Sequence, residues 1–396
     1  MTVARHPNVI DHRSVGPKPY IRTHNAMRGI AAIGVFCYHL QLEKTYQVPL
    51  GFAAPLVHRG YIWVDLFFIL SGFVLSLTYQ EALSQPSTAS LRAFFTARIA
   101  RILPLHLVAL GYLAALEIGV NILSWGMDRA PHLGPITPHR YEHLGLQAAL
   151  VQIWDGAATL DWNIPSWSIS AEMHVYLVFP LIAVALYKAP RLASAALLLL
   201  AAAIYGAIHV HYGSLDILTP LAVLRCLAGF TLGVLIQRQR GAAEHFPNAV
   251  LSVMQFGAAA AIGALLLLSP VYDVWVIGPF ALLVWATCTD RGVICRALDR
   301  TVFQRLGDTS YSIYLLNFPV LVTAGIVWPR VARMMGSASS TETKLLWMAI
   351  LTVGIITLAI YSFACVEKPL RRWLAGQLSP WSPVRLPSRT EPRREL

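Results

Sequence analysis

Stretches of about 20 mostly apolar residues recur along this chain, and they constrain its fold more than any other feature. A helix needs roughly 20 such residues to cross the hydrocarbon core of a bilayer. Ten segments qualify: 25–42, 61–79, 102–120, 168–187, 192–209, 219–237, 248–268, 272–289, 309–327 and 345–364. In lipid every backbone N–H and C=O must be satisfied internally, which makes helices the natural spans at this length. The expected fold is therefore all-α, a polytopic membrane domain with about ten transmembrane helices. Composition agrees, since 13% of the 396 residues are charged, against about 25% in soluble domains. Three parts are expected: a cytoplasmic N-terminal segment at 1–24, the membrane domain at 25–373, and a disordered cytoplasmic tail at 374–396, rich in Pro, Ser and Arg.

Lysine and arginine set the orientation. Of the 31, 22 fall in segments on the same side as the N-terminus and 7 on the other side. The positive-inside rule then places both termini in the cytoplasm. The net charge of +11 is spread over these short loops, as membrane topology predicts, so it is not read as a nucleic-acid surface. The first two dozen residues lack the apolar core of a signal peptide, so the first apolar segment is expected to remain as an anchor. The five cysteines form no Cys-x-x-Cys pair and read as small buried hydrophobes. A long segment at 121–167 carries His132, His139 and His143 without tight ligand spacing, so no metal site is expected. Its apolar run HLGLQAALVQIW is too short for a span and suits a re-entrant or interfacial helix.

Charged groups inside spans are costly and mark functional sites by default. In the first span, MRGIAAIGVFCYHL, Arg28 and His39 stand eleven residues apart. That spacing returns to within about 20° of the same helix face and separates the two by about 16 Å. Arg28 is expected near the cytoplasmic boundary and His39 in the outer half. Asp65 opens the second span and Glu172 the fourth, so topology gives His39, Asp65 and Glu172 similar depth. A carboxylate there can orient an imidazole. At the cytoplasmic depth Arg98 and Arg101 lie about one turn apart and can grip an anion from one side. Arg225, within the sixth span, needs a buried acid, an aqueous cavity or an anionic ligand. Together these residues suggest a water-accessible cavity with cations at its inner mouth and an acid–base group nearer its outer one. That suits transfer from a phosphorylated cytoplasmic donor to an outer acceptor, and it equally suits an anion transporter.

The motifs, in this order, resemble those of the acyltransferase 3 family of polytopic bacterial acyltransferases over about residues 24–373. Arg28 and His39 match its Arg-x10-His pattern, and Arg98 with Arg101 its Arg-x-x-Arg. VDLFFILSGF, Val64 to Phe73, is similar to its second-helix signature. NIPSWSISAEMHVYLVFP resembles its Trp-Ser-hydrophobic-x-x-Glu segment through Trp167, Ser168 and Glu172, and LGDTSYSIYLLNFPVL and VEKPLRRW its closing segments. Many members carry histidine where this chain has Asn317. The resemblance implies a membrane O-acyltransferase of the stand-alone, exopolysaccharide-type branch. It would move an acyl group, expected to be acetyl, from acyl-CoA to a hydroxyl of a surface or secreted carbohydrate, with no metal. On that reading Arg28, Arg98 and Arg101 are expected on the donor phosphates, His39 as base, and Asp65 or Glu172 orienting it. The expected location is the bacterial inner membrane, multi-pass among its lipids, with polysaccharide assembly machinery as a candidate partner. The competing reading is a transporter of a glycan or acyl intermediate without chemistry.

Overall fold

The computed structural model describes residues 20–42, 47–125, 140–218, 220–268, 270–334 and 340–378. Among them the regular structure is helical throughout, with no strand. The principal helices are α1 (Arg22–Leu42), α2 (Trp63–Ser84), α3 (Thr88–Trp125), α4 (Trp167–Lys188), α5 (Pro190–Tyr212), α6 (Leu221–Arg238), α7 (Asn248–Leu267), α8 (Ile277–Ala286), α9 (Thr301–Asp308), α10 (Ser310–Met334), α11 (Thr341–Ser362) and α12 (Lys368–Leu378). Helix therefore begins before residue 25 and continues past 373. His132, His139 and most of the expected terminal segments lie outside the described residues.

Eight helices in the described residues are long and apolar enough to cross a membrane. The other two expected spans differ from these for separate reasons. Pro270–Ala286 is a shorter apolar segment, a 3₁₀ stretch at Pro270–Val276 running into the ten-residue α8. Helix α1 has 21 residues but carries His24, Asn25, Arg28 and His39 along with its apolar ones. It tolerates them because it runs through the bundle, packed against α2, α9 and α10. Its polar groups find partners there: His24 Nε2 meets the Val284 carbonyl oxygen at 3.0 Å, and Asn25 Nδ2 donates to the Gln304 carbonyl oxygen at 3.0 Å. The free N–H groups of its first turn are met by a distant acid. The backbone N–H groups of Arg22 and Thr23 donate to the two Asp290 oxygens, each at 2.9 Å. A carboxylate at this position also complements the helix dipole.

Helices α2 and α6 make the closest pairing in the bundle. A Cβ added at Gly233 would stand 2.0 Å from the Ile69 carbonyl oxygen, and one at Gly72 would stand 1.9 Å from that of Phe230. Small residues facing each other let two backbones touch, which is how helices associate where lipid supplies no hydrophobic drive. Ser71 and Gly72 of the second-helix signature thus include one true packing glycine. The segment 140–166 forms no single interfacial helix. It is a series of short turns held by buried polar side chains. Gln147 Nε2 donates to the carbonyl oxygens of Ala158 and Asp161 at 2.6 and 2.9 Å, and its Oε1 accepts from Ser166 Oγ at 3.0 Å. His143 Nδ1 meets Asp161 Oδ2 at 2.8 Å.

The packing generates a direct prediction. Gly233→Ala should lower the thermal stability of the detergent-solubilised protein by about 1–3 kcal/mol or more, the cost of overpacking. Gly257→Ala, whose Cβ would meet nothing within 4 Å, should leave the melting transition in place.

Candidate functional site

One end of the bundle holds a cavity of about 260 Å³. Its walls are mainly aromatic and aliphatic, and its polar groups are Tyr38 and His39 from α1, Tyr61 just before α2, Asp216 between α5 and α6, and Tyr314 from α10. His39 stands half-buried on this wall beside the side-chain amide of Asn317. Asn317 Nδ2 donates one N–H to the Tyr314 carbonyl oxygen at 2.8 Å, and its Oδ1 is the unpartnered atom beside the imidazole. That oxygen and His39 Nδ1 are both buried without a well-aligned hydrogen bond. An amide oxygen only accepts, so this neighbour favours an N–H on the imidazole nitrogen facing it and leaves the other as an acceptor. At the rim, Tyr38 donates to Asp216 Oδ2 at 3.5 Å. Burial pushes the Asp216 carboxyl above the usual carboxylate range, with the Arg225 charge opposing.

Asp65 does not join this site as expected. Its two oxygens accept from Arg225, Oδ1 from Nε at 3.0 Å and Oδ2 from Nη2 at 2.6 Å. Both side chains are essentially sealed from solvent, at 0% and 1% exposure. Tyr205 adds a hydrogen bond to Oδ1 at 3.4 Å. Arg225 Nη2 also donates to the Tyr61 carbonyl oxygen at 3.2 Å, and its guanidinium lies 5.6 Å from the centre of the Trp167 ring. Of the alternatives open for Arg225, the structure supplies the buried acid. Asp65 and Arg225 are isolated opposite charges in two apolar spans, and that was the signal available in the sequence. The depth argument instead pairs Asp65 with the nearest histidine.

Glu172 also has other company. The neighbouring charge is Arg28, and the Tyr176 hydroxyl lies beside it. Ser71 Oγ lies 3.3 Å from the same hydroxyl. The reason is rotation and depth. Trp167 starts α4 at the cavity wall, and five residues later Glu172 stands about 7.5 Å further along the helix axis and about 140° around it. His174 is elsewhere, as its spacing from Glu172 predicts. It accepts from Trp154 Nε1 at 2.8 Å and meets the Ser170 carbonyl oxygen at 2.7 Å.

Arg28, Arg98 and Arg101 do come together. All three are half-buried and share one electrostatic neighbourhood with Glu172 and Tyr176. Arg98 stands over the Tyr79 ring, 5.4 Å from its centre, with Nη2 donating to the hydroxyl at 3.4 Å. Its Nε is buried without a partner. The cationic cluster and the His39 cavity thus occupy different depths of one bundle, joined through α1. Asp216, Tyr38, Tyr61 and Tyr314 were not legible as site residues, because a short loop and three scattered tyrosines carry no spacing that announces a shared wall.

The family described as an acyltransferase domain matches residues 23–365. The acyltransferase MdmB of Streptomyces mycarofaciens is 29% identical over 381 residues, covering 88% of this chain and 91% of that protein. YrhL of Bacillus subtilis, whose name assigns it provisionally to peptidoglycan O-acetylation, is 23% identical over 387 residues, 89% of this chain and 55% of the relative. This chain therefore spans about half of that protein. Protein 2 in the picA locus of Rhizobium radiobacter is 36% identical over 100 residues, 25% of this chain and 47% of its own length. No solved structure matches.

Breaking the buried pair from one side should be far worse than removing it whole. Arg225→Met or Asp65→Leu alone should each cost about 3–5 kcal/mol, because each strands a buried charge. The double variant should recover a large part of that loss. Thermal unfolding of the four proteins, arranged as a double-mutant cycle, measures the coupling.

Proposed function

The chain belongs to the acyltransferase 3 family, and we propose that it moves an acetyl group from cytoplasmic acetyl-CoA to a hydroxyl of a surface or secreted carbohydrate. Membership makes it an O-acyltransferase in a multi-pass membrane protein. The donor, the acceptor class and the inner membrane are the finer reading. What carries that reading is the arrangement along α1, with the arginine cluster at one depth and His39, backed by Asn317, on a cavity wall about 16 Å away.

In the proposed reaction the arginines hold the donor phosphates from the cytoplasmic side, and the thioester reaches along the bundle towards His39. The acceptor enters the cavity from the other side. The free imidazole nitrogen of His39 takes the proton of the acceptor hydroxyl as its oxygen attacks the thioester carbonyl. Collapse of the tetrahedral intermediate breaks the C–S bond, and the imidazolium returns the proton to the departing thiolate. In this reaction the Asn317 oxygen, not a carboxylate, would accept from the imidazole N–H. The aromatic walls offer flat apolar faces to a sugar ring, and Asp216 offers a hydrogen-bond acceptor at the rim. The peptidoglycan named for the Bacillus relative supports a carbohydrate acceptor.

Membranes carrying the protein, given radiolabelled acetyl-CoA and pooled envelope glycans, should transfer label into glycan as a base-labile ester. His39→Ala should lower the rate by about 10²–10⁴-fold, the usual contribution of a positioned base. Asn317→Ala should lower it by roughly two- to tenfold, the worth of one hydrogen bond. Equal labelling by wild type and His39→Ala would remove His39 from the chemistry. Absence of label from both, with folded protein, would favour a transporter.

A further inference from the structure

The closing segment VEKPLRRW places one more cation at the arginine cluster. Helix α11 runs into a π-helical turn at Phe363–Glu367 before α12 begins. Pro369 has no N–H to give the carbonyl of Cys365, which is the local reason for the wider turn. The turn buries Glu367, 2% exposed, where its Oε2 accepts from Ser312 Oγ at 3.0 Å. Its Oε1 is buried with no partner. Arg371 follows one helical turn later and is half-buried. Helix α12 packs on α3, and Arg92 of α3 donates through Nε and Nη2 to the Leu378 carbonyl oxygen at 3.2 and 3.0 Å. That docking brings Arg371 into the electrostatic neighbourhood of Arg98, Arg101 and Glu367.

The charges in this neighbourhood do not balance. The half-buried Arg28, Arg98, Arg101 and Arg371, with the exposed Arg372 beside them, face the half-buried Glu172 and the buried Glu367, an excess of three positive charges. Like charges at such a site repel, and burial withholds the water that would screen them. Arg98 Nε, buried and unpartnered, is a donor held ready for an acceptor. The complement to this set is a ligand with several negative charges and many acceptor oxygens, as a phosphorylated donor has.

We propose that Arg371 is the fourth cation of the donor site, binding the phosphate groups of acyl-CoA together with Arg98 and Arg101. This assignment rests on the acyl-CoA reading given above.

The test is equilibrium binding of coenzyme A, and of phosphate-free pantetheine, to the full-length protein in detergent. Wild type should bind coenzyme A much more tightly than pantetheine. Arg371→Gln should weaken coenzyme A about tenfold or more, the loss of one charge-assisted contact, and leave pantetheine unchanged. Arg371→Lys should recover part of the affinity, since it restores charge without the planar fork. Arg191→Gln, an exposed position on α5, should behave as wild type. Unchanged coenzyme A binding by a folded Arg371→Gln protein would overturn the assignment while leaving the donor reading intact. Loss of pantetheine binding in parallel would overturn it too, by making Arg371 structural. Wild type binding coenzyme A no better than pantetheine would sink the donor reading and this inference with it.

Discussion

The ion pair between Arg225 and Asp65 is the constraint around which the rest of the bundle is arranged. Neither charge can be left alone in an apolar interior, and mutual attraction repays desolvation only when geometry is good and the remaining donors are filled. Here both carboxylate oxygens accept from the same guanidinium, and its Nη2 also donates to the Tyr61 carbonyl oxygen. Those bonds require α2 and α6 to lie close, and Gly72 and Gly233 provide the room. The pair also sets the cavity wall. Trp167 lies against the guanidinium and lines the cavity beside Tyr61. A distortion of the pair would therefore reach the site through two wall residues without touching His39.

The same rule governs residues 140–166, ahead of α4. Irregular backbone is tolerated near a membrane domain when protein groups satisfy it, and side-chain amides and hydroxyls do so here. His106 Nε2 meets the Gln147 carbonyl oxygen at 2.7 Å. Ser170 Oγ donates to that of Leu150 at 2.6 Å. Asn163 Nδ2 donates to that of Leu315 at 3.1 Å. The segment is thus fastened to α3, α4 and α10 at once, and Ile164 reaches the cavity wall from it. A lid of loosely held turns could not keep a wall residue in place; a cross-braced one can.

How much was legible in the sequence follows from what one-dimensional spacing encodes. Apolar period and length gave the helices, because burial in lipid imposes both. Depth was readable within a helix, which is how spacing separates Arg28 from His39 along α1. Azimuth between helices was not readable. Asp65, Glu172 and His39 share approximate depth by topology, yet Asp65 points to α6 and Glu172 towards Arg28. The partner of Arg225 was foreseeable only as a class. Pro270–Ala286 read as an ordinary span because hydropathy does not register a 3₁₀ start. Arg371 was counted only among the inside charges, because it takes the π-helical turn and the docking of α12 on α3 to bring it towards the other arginines.

Asn317 gives the proposed chemistry its sharpest consequence. A histidine at this position, as many members of the family carry, could itself take up and pass on a proton. An amide near neutral pH cannot; it can only accept and donate hydrogen bonds. One N–H of its amino group is given to the Tyr314 carbonyl oxygen, and the oxygen beside His39 is free to accept. The proton that His39 takes from an acceptor hydroxyl then has no onward route through Asn317. It must leave by the nitrogen that received it, either to the departing thiolate or to water in the cavity. His39 would act as base and then as acid on one nitrogen in a single turnover, and its two roles would be separated by the lifetime of the tetrahedral intermediate. The amide would hold the ring still between the two steps.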